Sequence, residues 1–348
     1  MQHLDKAQII EVLIHKPTCI VFHPTQDKAY IGNSLGKIKV LDLKSEKVTY
    51  EITMGSKRIE TLYVCHEHLI SFGDDKICYW TLDFPYSCLH QVDLLSSERR
   101  KHVEMIDRYS INKLPRSDKW KKGKFSSDGS TLFAEARDDF GIIKLCTQTG
   151  KVIEKYQIAS LEGYESYDTA LHDFAVSHDH QKLVASWLWE FPEGPLRQPL
   201  ITLWDLQTKQ LLDHSDYGFR ANGDTCYDGT HTVSFSQSEG KIAATYDGRL
   251  NLFSGENFAV SVPEFRYNHE IESMSFFPDG KKMLIGDEKG KIYSISPVGE
   301  KLVEQAEAQL FEDAVCGLVF SQDGLTLAAW DNLRTVKFFK TETMVEHL

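Results

Sequence analysis

Nowhere does this sequence carry a run of roughly 18 apolar residues, the least that a membrane-spanning helix requires. Its opening, Met1-Gln2-His3-Leu4-Asp5-Lys6, lacks the basic and apolar stretches of a secretory leader. A cytoplasmic chain with no membrane partner is therefore expected. Seven cysteines (19, 65, 78, 88, 146, 226, 316) include no Cys-x-x-Cys pair and no zinc-ligand spacing. Those set among apolar strand residues, such as Cys19, Cys78 and Cys316, should pack as small hydrophobes in a reducing compartment. Also missing are the G-x-S-x-G elbow, the GxxxxGK[ST] phosphate loop and the GxGxxG turn. No catalytic residue, cofactor or resident metal is expected.

Positive charge is scarce too. Lysine and arginine total 39 against 51 aspartates and glutamates, a net charge of −12. Nucleic-acid affinity draws on Lys and Arg neutralising phosphates, so this balance argues against general nucleic-acid binding and accommodates a basic protein partner. The same charge serves solubility. Hydrophobic residues at 41% and aromatics at 11% supply a large core.

What the chain does have is repetition. Pro199-Leu200-Ile201-Thr202-Leu203-Trp204-Asp205-Leu206 is an alternating, β-rich run closed by Trp-Asp, and weaker copies recur. Their last large apolar residues are Leu41, Trp80, Leu145, Trp204, Phe253, Ile295 and Phe339. Four of the six intervals lie near the ~40–45 residues of a four-stranded propeller blade. The two longest, from Trp80 to Leu145 and from Leu145 to Trp204, should carry insertions. A turn signature precedes several markers: Phe125-Ser126-Ser127-Asp128-Gly129, Phe277-Pro278-Asp279-Gly280 and Phe320-Ser321-Gln322-Asp323-Gly324. Here Gly supplies a positive φ and Asp caps its own backbone. The first unit then reads as strands over 18–22, 28–32, 37–42 and 47–52, and the sixth as 271–276, 281–285, 291–296 and 301–305. Short strands of this kind favour a closed all-β array, which removes exposed sheet edges.

This combination resembles the WD40 repeat over roughly residues 8 to 348. The resemblance implies a single domain, 1–348, folded as one seven-bladed β-propeller of four-stranded antiparallel blades. Trp204-Asp205 is the one well-placed Trp-Asp, since Trp330-Asp331 ends a second strand. The Gly-His dipeptide that opens such repeats is missing, so the family's buried His-Ser-Asp-Trp network is not expected in most blades. Gln8-Ile9-Ile10-Glu11-Val12-Leu13-Ile14 has the pattern of an outer strand that would close the ring from the N-terminus. The stretch 343–348 competes for that place.

Inserted loops are expected at 95–119, 159–170, 190–198 and 213–230. Loops on a rigid scaffold carry much of recognition. The first holds seven Lys/Arg, among them Arg99, Arg100 and Lys101, against four acids, a net +3. It suits an acidic partner or a phosphate, and equally a solvated loop paired with acidic neighbours. The second carries Tyr164 and Tyr167. The third carries Phe191 and Arg197 and follows directly on Trp189 at the end of its strand, with period 2 sending Trp187 and Trp189 to one face. The fourth carries Tyr217, Phe219 and Arg220. By propeller connectivity all four open on one side of blades two to five, and aromatics with arginine are the composition of a protein-binding hot spot.

His66-Glu67-His68 and His178-Asp179-His180 have a metal-like His-x-His spacing, but both fall at turns between first and second strands. His172-Asp173 lies in a first strand, nearer the channel. The favoured function is a non-enzymatic, monomeric scaffold binding another protein, with neutralisation of a basic partner as a specific version. Two alternatives stand beside it: a propeller hydrolase or lactonase with a channel-bound metal, and a propeller that reads RNA or a phosphopeptide through 95–119.

Overall fold

The computed structural model describes residues 9–55, 58–65, 67–73, 76–94, 123–126, 128–136, 141–157, 169–190, 197–215, 232–236, 240–246, 248–298 and 301–342. After β1 (Ile9–Leu13), the first blade runs β2 (Pro17–Phe22), β3 (Lys28–Asn33), β4 (Lys37–Asp42), β5 (Lys47–Thr53). The second is β6 (Thr61–Cys65), β7 (His68–Gly73), β8 (Lys76–Thr81), β9 (Cys88–Asp93), and the third β10 (Gly123–Phe125), β11 (Thr131–Ala136), β12 (Gly141–Cys146), β13 (Val152–Gln157). The fourth comprises β14 (Thr169–Val176), β15 (Lys182–Glu190), β16 (Arg197–Asp205), β17 (Leu211–Ser215). Then come β18 (Val233–Phe235), β19 (Lys241–Tyr246), β20 (Arg249–Ser254), β21 (Val260–Arg266) in the fifth, and β22 (Ile271–Phe276), β23 (Met283–Asp287), β24 (Lys291–Val298), β25 (Lys301–Gln309) in the sixth. The seventh is β26 (Val315–Phe320), β27 (Thr326–Asp331), β28 (Thr335–Lys340).

Among the described residues these strands form seven antiparallel sheets of four, a seven-bladed β-propeller. Six sheets keep chain order. In the seventh, β1 lies outermost against β28, in register from Ile9 opposite Phe339 to Leu13 opposite Thr335.

Composition follows position within a blade. Second strands are covered on both faces by neighbouring blades, so they read as nearly unbroken small or apolar runs, such as Ile242-Ala243-Ala244 in β19 and Leu327-Ala328-Ala329 in β27. Outermost strands face solvent, and the first four residues of β5 are all exposed. Turns follow from side-chain capping. Asp128 Oδ1 accepts from the Ser126 hydroxyl at 2.6 Å and from the Ser130 N–H at 3.0 Å, and Gly129 takes φ 67°. The Ser321–Asp323 turn repeats the pattern, with 2.6 Å between hydroxyl and carboxylate. Asp331, of the second Trp-Asp, accepts from the N–H groups of Leu333, Arg334 and Thr335 and so closes the turn after a second strand.

The core is divided among the seven interfaces between blades. The cluster of Ile20, Ala29, Ile31 and Leu41 with Ala328, Trp330, Val336 and Phe338 joins the first blade to the seventh. Six comparable clusters join the remaining neighbours. Close approach at one interior point depends on glycine: a Cβ on Gly317 would stand 1.9 Å from the Trp330 ring.

Tryptophan–hydroxyl hydrogen bonds occur in the second and fourth blades. Trp80 Nε1 donates to Ser71 Oγ at 2.8 Å in the second blade. In the fourth, Trp187 and Trp204 both donate to Thr202 Oγ1, at 2.8 and 3.0 Å.

Three of the expected loops are shorter than the sequence suggests. β14 begins at Thr169, β17 continues to Ser215, and the β15–β16 ladder runs on until Glu190 opposes Arg197. Trp189 ends its strand as the period-2 reading expects, whereas Arg197 is a strand residue and not a loop residue, because the β-favouring Trp-Leu-Trp run keeps pairing past the blade end. Trp187 is fully buried.

Candidate functional site

Of the residues that the sequence singles out, Arg99, Arg100, Lys101, Tyr164, Tyr167, Phe191, Tyr217, Phe219 and Arg220 lie outside the described residues. Trp189 and Arg197 have described backbones only, paired with Gln198 and Glu190. The strand order sets the ends of the blades at which these segments emerge. Connections from a fourth strand to the next blade, and from a second to a third strand, leave one end of the ring. First-to-second and third-to-fourth turns leave the other.

The histidine motifs separate. His178-Asp179-His180 forms the β14–β15 turn, where Asp179 accepts from the Ser177 hydroxyl and the Gln181 N–H and His180 takes φ 56°. His66 is outside the described residues, while His68 opens β7. Among the described residues no group of three or more His, Cys, Asp or Glu is disposed to hold a metal. Asp173 is buried on the innermost strand of the fourth blade, and its Oδ2 accepts from the Thr232 hydroxyl at 2.8 Å and the Val233 N–H at 3.2 Å on the fifth.

On the turn-bearing end the second and third blades part and leave a cleft of about 590 Å³. One row of facing residues builds its inner wall. Tyr63 opposes Ile70, Ile70 opposes Tyr79, and Tyr79 opposes His90, so four adjacent strands present one row to the third blade. Deeper in, the two blades pack through Phe72, Ile77, Val92, Phe125 and Leu145. Toward the turns that packing gives way to Cys65, His68, Tyr79, Leu89 and His90, which face Asp128, Gly129, Ser130, Gln148 and Thr149 across the gap.

Hydrogen bonds between the blades fix this geometry. The Tyr79 hydroxyl donates to Thr147 Oγ1 at 2.5 Å, and that hydroxyl donates to the Gly129 carbonyl at 2.7 Å. The Cys65 thiol donates to the Asp128 carbonyl at 2.8 Å. His90 Nε2 lies 3.0 Å from the Gln148 carbonyl; a carbonyl only accepts, so the proton is on Nε2. His68 packs edge-on against Tyr79 at 6.2 Å between centroids, and His90 tilts against its other side at 6.0 Å.

Electrostatically the cleft leans negative. Hydrogen bonds from Ser126 and Ser130 hold the Asp128 carboxyl down at about 2, so it is ionised at neutral pH although it is exposed. Burial raises the Cys65 thiol and the Tyr79 phenol, leaving both neutral. Just beyond, Cys146 ends β12 where Asp42 and Asp205 end the corresponding strands, and hydrogen bonds from Thr149 lower its thiol. Among the described lining residues there is no lysine or arginine.

Sequence reasoning weighed His68 only as half of a metal pair and passed over Tyr79, His90 and the exposed Leu89. The available signal was the register that sets Ile70, Tyr79 and His90 side by side.

No family model matches the chain. It is 31% identical over 102 residues to WD repeat domain phosphoinositide-interacting protein 2 of Gallus gallus, a match covering 28% of this chain and 23% of that protein. The Mus musculus protein of the same name is 30% identical over 102 residues, with the same coverage. The match thus spans about a quarter of the length of these relatives. Among solved structures, Raptor of Chaetomium thermophilum superposes with a TM-score of 0.66 at 10% identity, covering 96% of this chain and 28% of the other. That likeness concerns the fold.

Proposed function

On a seven-bladed propeller of the WD40-repeat type, we propose that this chain is a non-enzymatic interaction scaffold that docks a partner protein on the loop-bearing end of blades two to five. Arg99, Arg100 and Lys101 would supply charge, and Tyr164, Tyr167, Trp189, Phe191, Arg197, Tyr217, Phe219 and Arg220 would supply anchors. What supports this reading is the strand order. The segments between β9 and β10, β13 and β14, β15 and β16, and β17 and β18 all leave adjacent blades at one end of the ring. Aromatic and arginine side chains concentrated on a rigid frame are what interface hot spots are made of, the aromatic rings losing little entropy on ordering and arginine adding charge and planar hydrogen bonds.

The test compares wild type with the Phe191→Ala, Tyr217→Ala, Phe219→Ala triple variant, both shown by circular dichroism to be folded. Each is used as bait for partner capture from the native host. One protein captured stoichiometrically by wild type and lost from the variant supports the reading. An identical catch from both overturns it.

A second reading follows from the relatives' name, which includes phosphoinositide interaction. A phosphorylated headgroup would find its counter-charge in 95–119. Phosphoinositide-containing vesicles should then retain wild type and release the Arg99→Glu, Arg100→Glu, Lys101→Glu variant. Equal retention of both would exclude this reading.

A further inference from the structure

We propose that the cleft between the second and third blades is a separate binding site, on the end of the ring opposite the docking loops, for a peptide segment that carries an apolar side chain next to a lysine or arginine.

The size fits part of a chain and not a globular surface, since about 590 Å³ lies within the ~300–1,000 Å³ range of clefts that enclose small ligands. The apolar component follows from the wall. Leu89 is 54% exposed at the mouth, and the Tyr79 ring is clamped between two imidazoles, so its orientation is already paid for when a side chain arrives. An apolar residue seated there would remove Leu89 from water without moving either blade.

The cationic component follows from Asp128. Three of its hydrogen bonds hold it in place: Oδ1 takes the Ser126 hydroxyl and the Ser130 N–H, and the Ser130 hydroxyl lies 2.8 Å from both oxygens. Among the described residues Oδ2 engages only that last hydroxyl, which leaves lone-pair capacity on a carboxylate that lines the cleft. A carboxylate that stays ionised, with no lysine or arginine among the described lining residues, repels phosphate and acidic side chains and attracts an ammonium or guanidinium. A guanidinium gains further from stacking on the aromatic wall. A free inorganic cation would find one carboxylate and no further acid in the described lining, which leaves the apolar wall unused. A segment supplying both groups uses both.

The experiment uses four fluorescein-labelled, end-blocked octapeptides in a Gly-Ser background, carrying Leu-Arg, Leu-Glu, Gly-Arg or neither pair. Anisotropy gives affinity for the full chain, and the imidazole proton resonances of His68 and His90 report where each peptide sits. The Leu-Arg peptide should bind and shift both resonances. Asp128→Asn keeps an oxygen to cap the turn and should weaken that peptide about tenfold, as should Leu89→Ser at the surface. The Leu-Glu peptide should bind wild type at least about tenfold less well and recover on Asp128→Asn. Tight binding of the Leu-Glu peptide, or indifference of the Leu-Arg peptide to Asp128→Asn, overturns the charge assignment. Failure of every peptide to move His68 and His90 overturns the site itself. Neither failure touches the loop end of the ring, which the capture experiment tests on its own.

Discussion

Asp173 of the fourth blade accepts a 2.8 Å hydrogen bond from the Thr232 hydroxyl of the fifth, and its other oxygen is buried without a hydrogen-bond partner among the described residues. The carboxylate thereby holds two blades at the channel side, beside Ser186, whose buried hydroxyl also lacks a hydrogen-bond partner among the described residues. Replacing Asp173 by Ala strands the Thr232 hydroxyl and the Val233 N–H, at a cost of about 1–3 kcal/mol. Urea denaturation of Asp173→Ala, Thr232→Val and the double variant should show coupling between the sites. Additive losses would mean that the contact does not bind the blades together.

Thr202 offers a second point of failure. Its one hydroxyl oxygen accepts from two buried indoles, those of Trp187 and Trp204. Thr202→Val keeps the volume and leaves two N–H donors unpaired, so its loss should exceed that of a single neutral hydrogen bond, roughly 1 kcal/mol. Trp187→Ala should cost more, about 3–5 kcal/mol, because the ring is fully buried. Denaturant midpoints order the two variants.

At Gly317 no other residue fits. An added Cβ would meet the Trp330 ring at 1.9 Å, between the first two strands of the seventh blade. Gly317→Ala should therefore lower the melting temperature sharply. Trp330→Phe, harmful alone, should recover part of that loss when combined with it, and failure to recover would place the damage elsewhere.

Stability should fall on the acid side through His23. Its Nδ1 accepts from the N–H groups of Thr25 and Gln26, both at 3.1 Å, and burial lowers its affinity for a proton below the usual 6.5. The unfolded chain then binds the proton more readily than the folded one. Stability from this group is complete above 6.5 and is lost as pH falls from 6.5 through the folded value. Denaturation midpoints compared at about pH 7.5 and about pH 5 should show a drop in wild type that is smaller in His23→Asn. A drop of equal size would assign it to other groups. Asp128, also depressed, contributes in a separate and more acid window, from 3.8 down through about 2.

Architecture was legible because it is local. A turn written as Ser-x-Asp-Gly works through bonds spanning a few residues, such as Ser126 to Asp128, and Trp204-Asp205 is an ordinary strand end with its own turn cap. The existence of a large apolar core was legible from composition, while its division among the blade interfaces, with small residues such as Ala243 and Ala244 covered on both faces of second strands, emerges from the structure. The cleft was not legible. It needs Tyr79 and His90 from one blade to meet Asp128 and Thr149 of the next, and whether two blades touch or part at one end depends on twist and side-chain volume across that interface. Nor did a loop signal show that Glu190 and Arg197 pair, since a strand that outruns its blade looks the same as a loop until pairing partners are known.

Hydrogen exchange of the full chain, alone and with the captured partner, tests the docking end most directly. Slowed exchange concentrated in 95–119, 158–168, 191–196 and 216–231 is the predicted result. Protection confined to blades six, seven and one, or no protection anywhere, would contradict it.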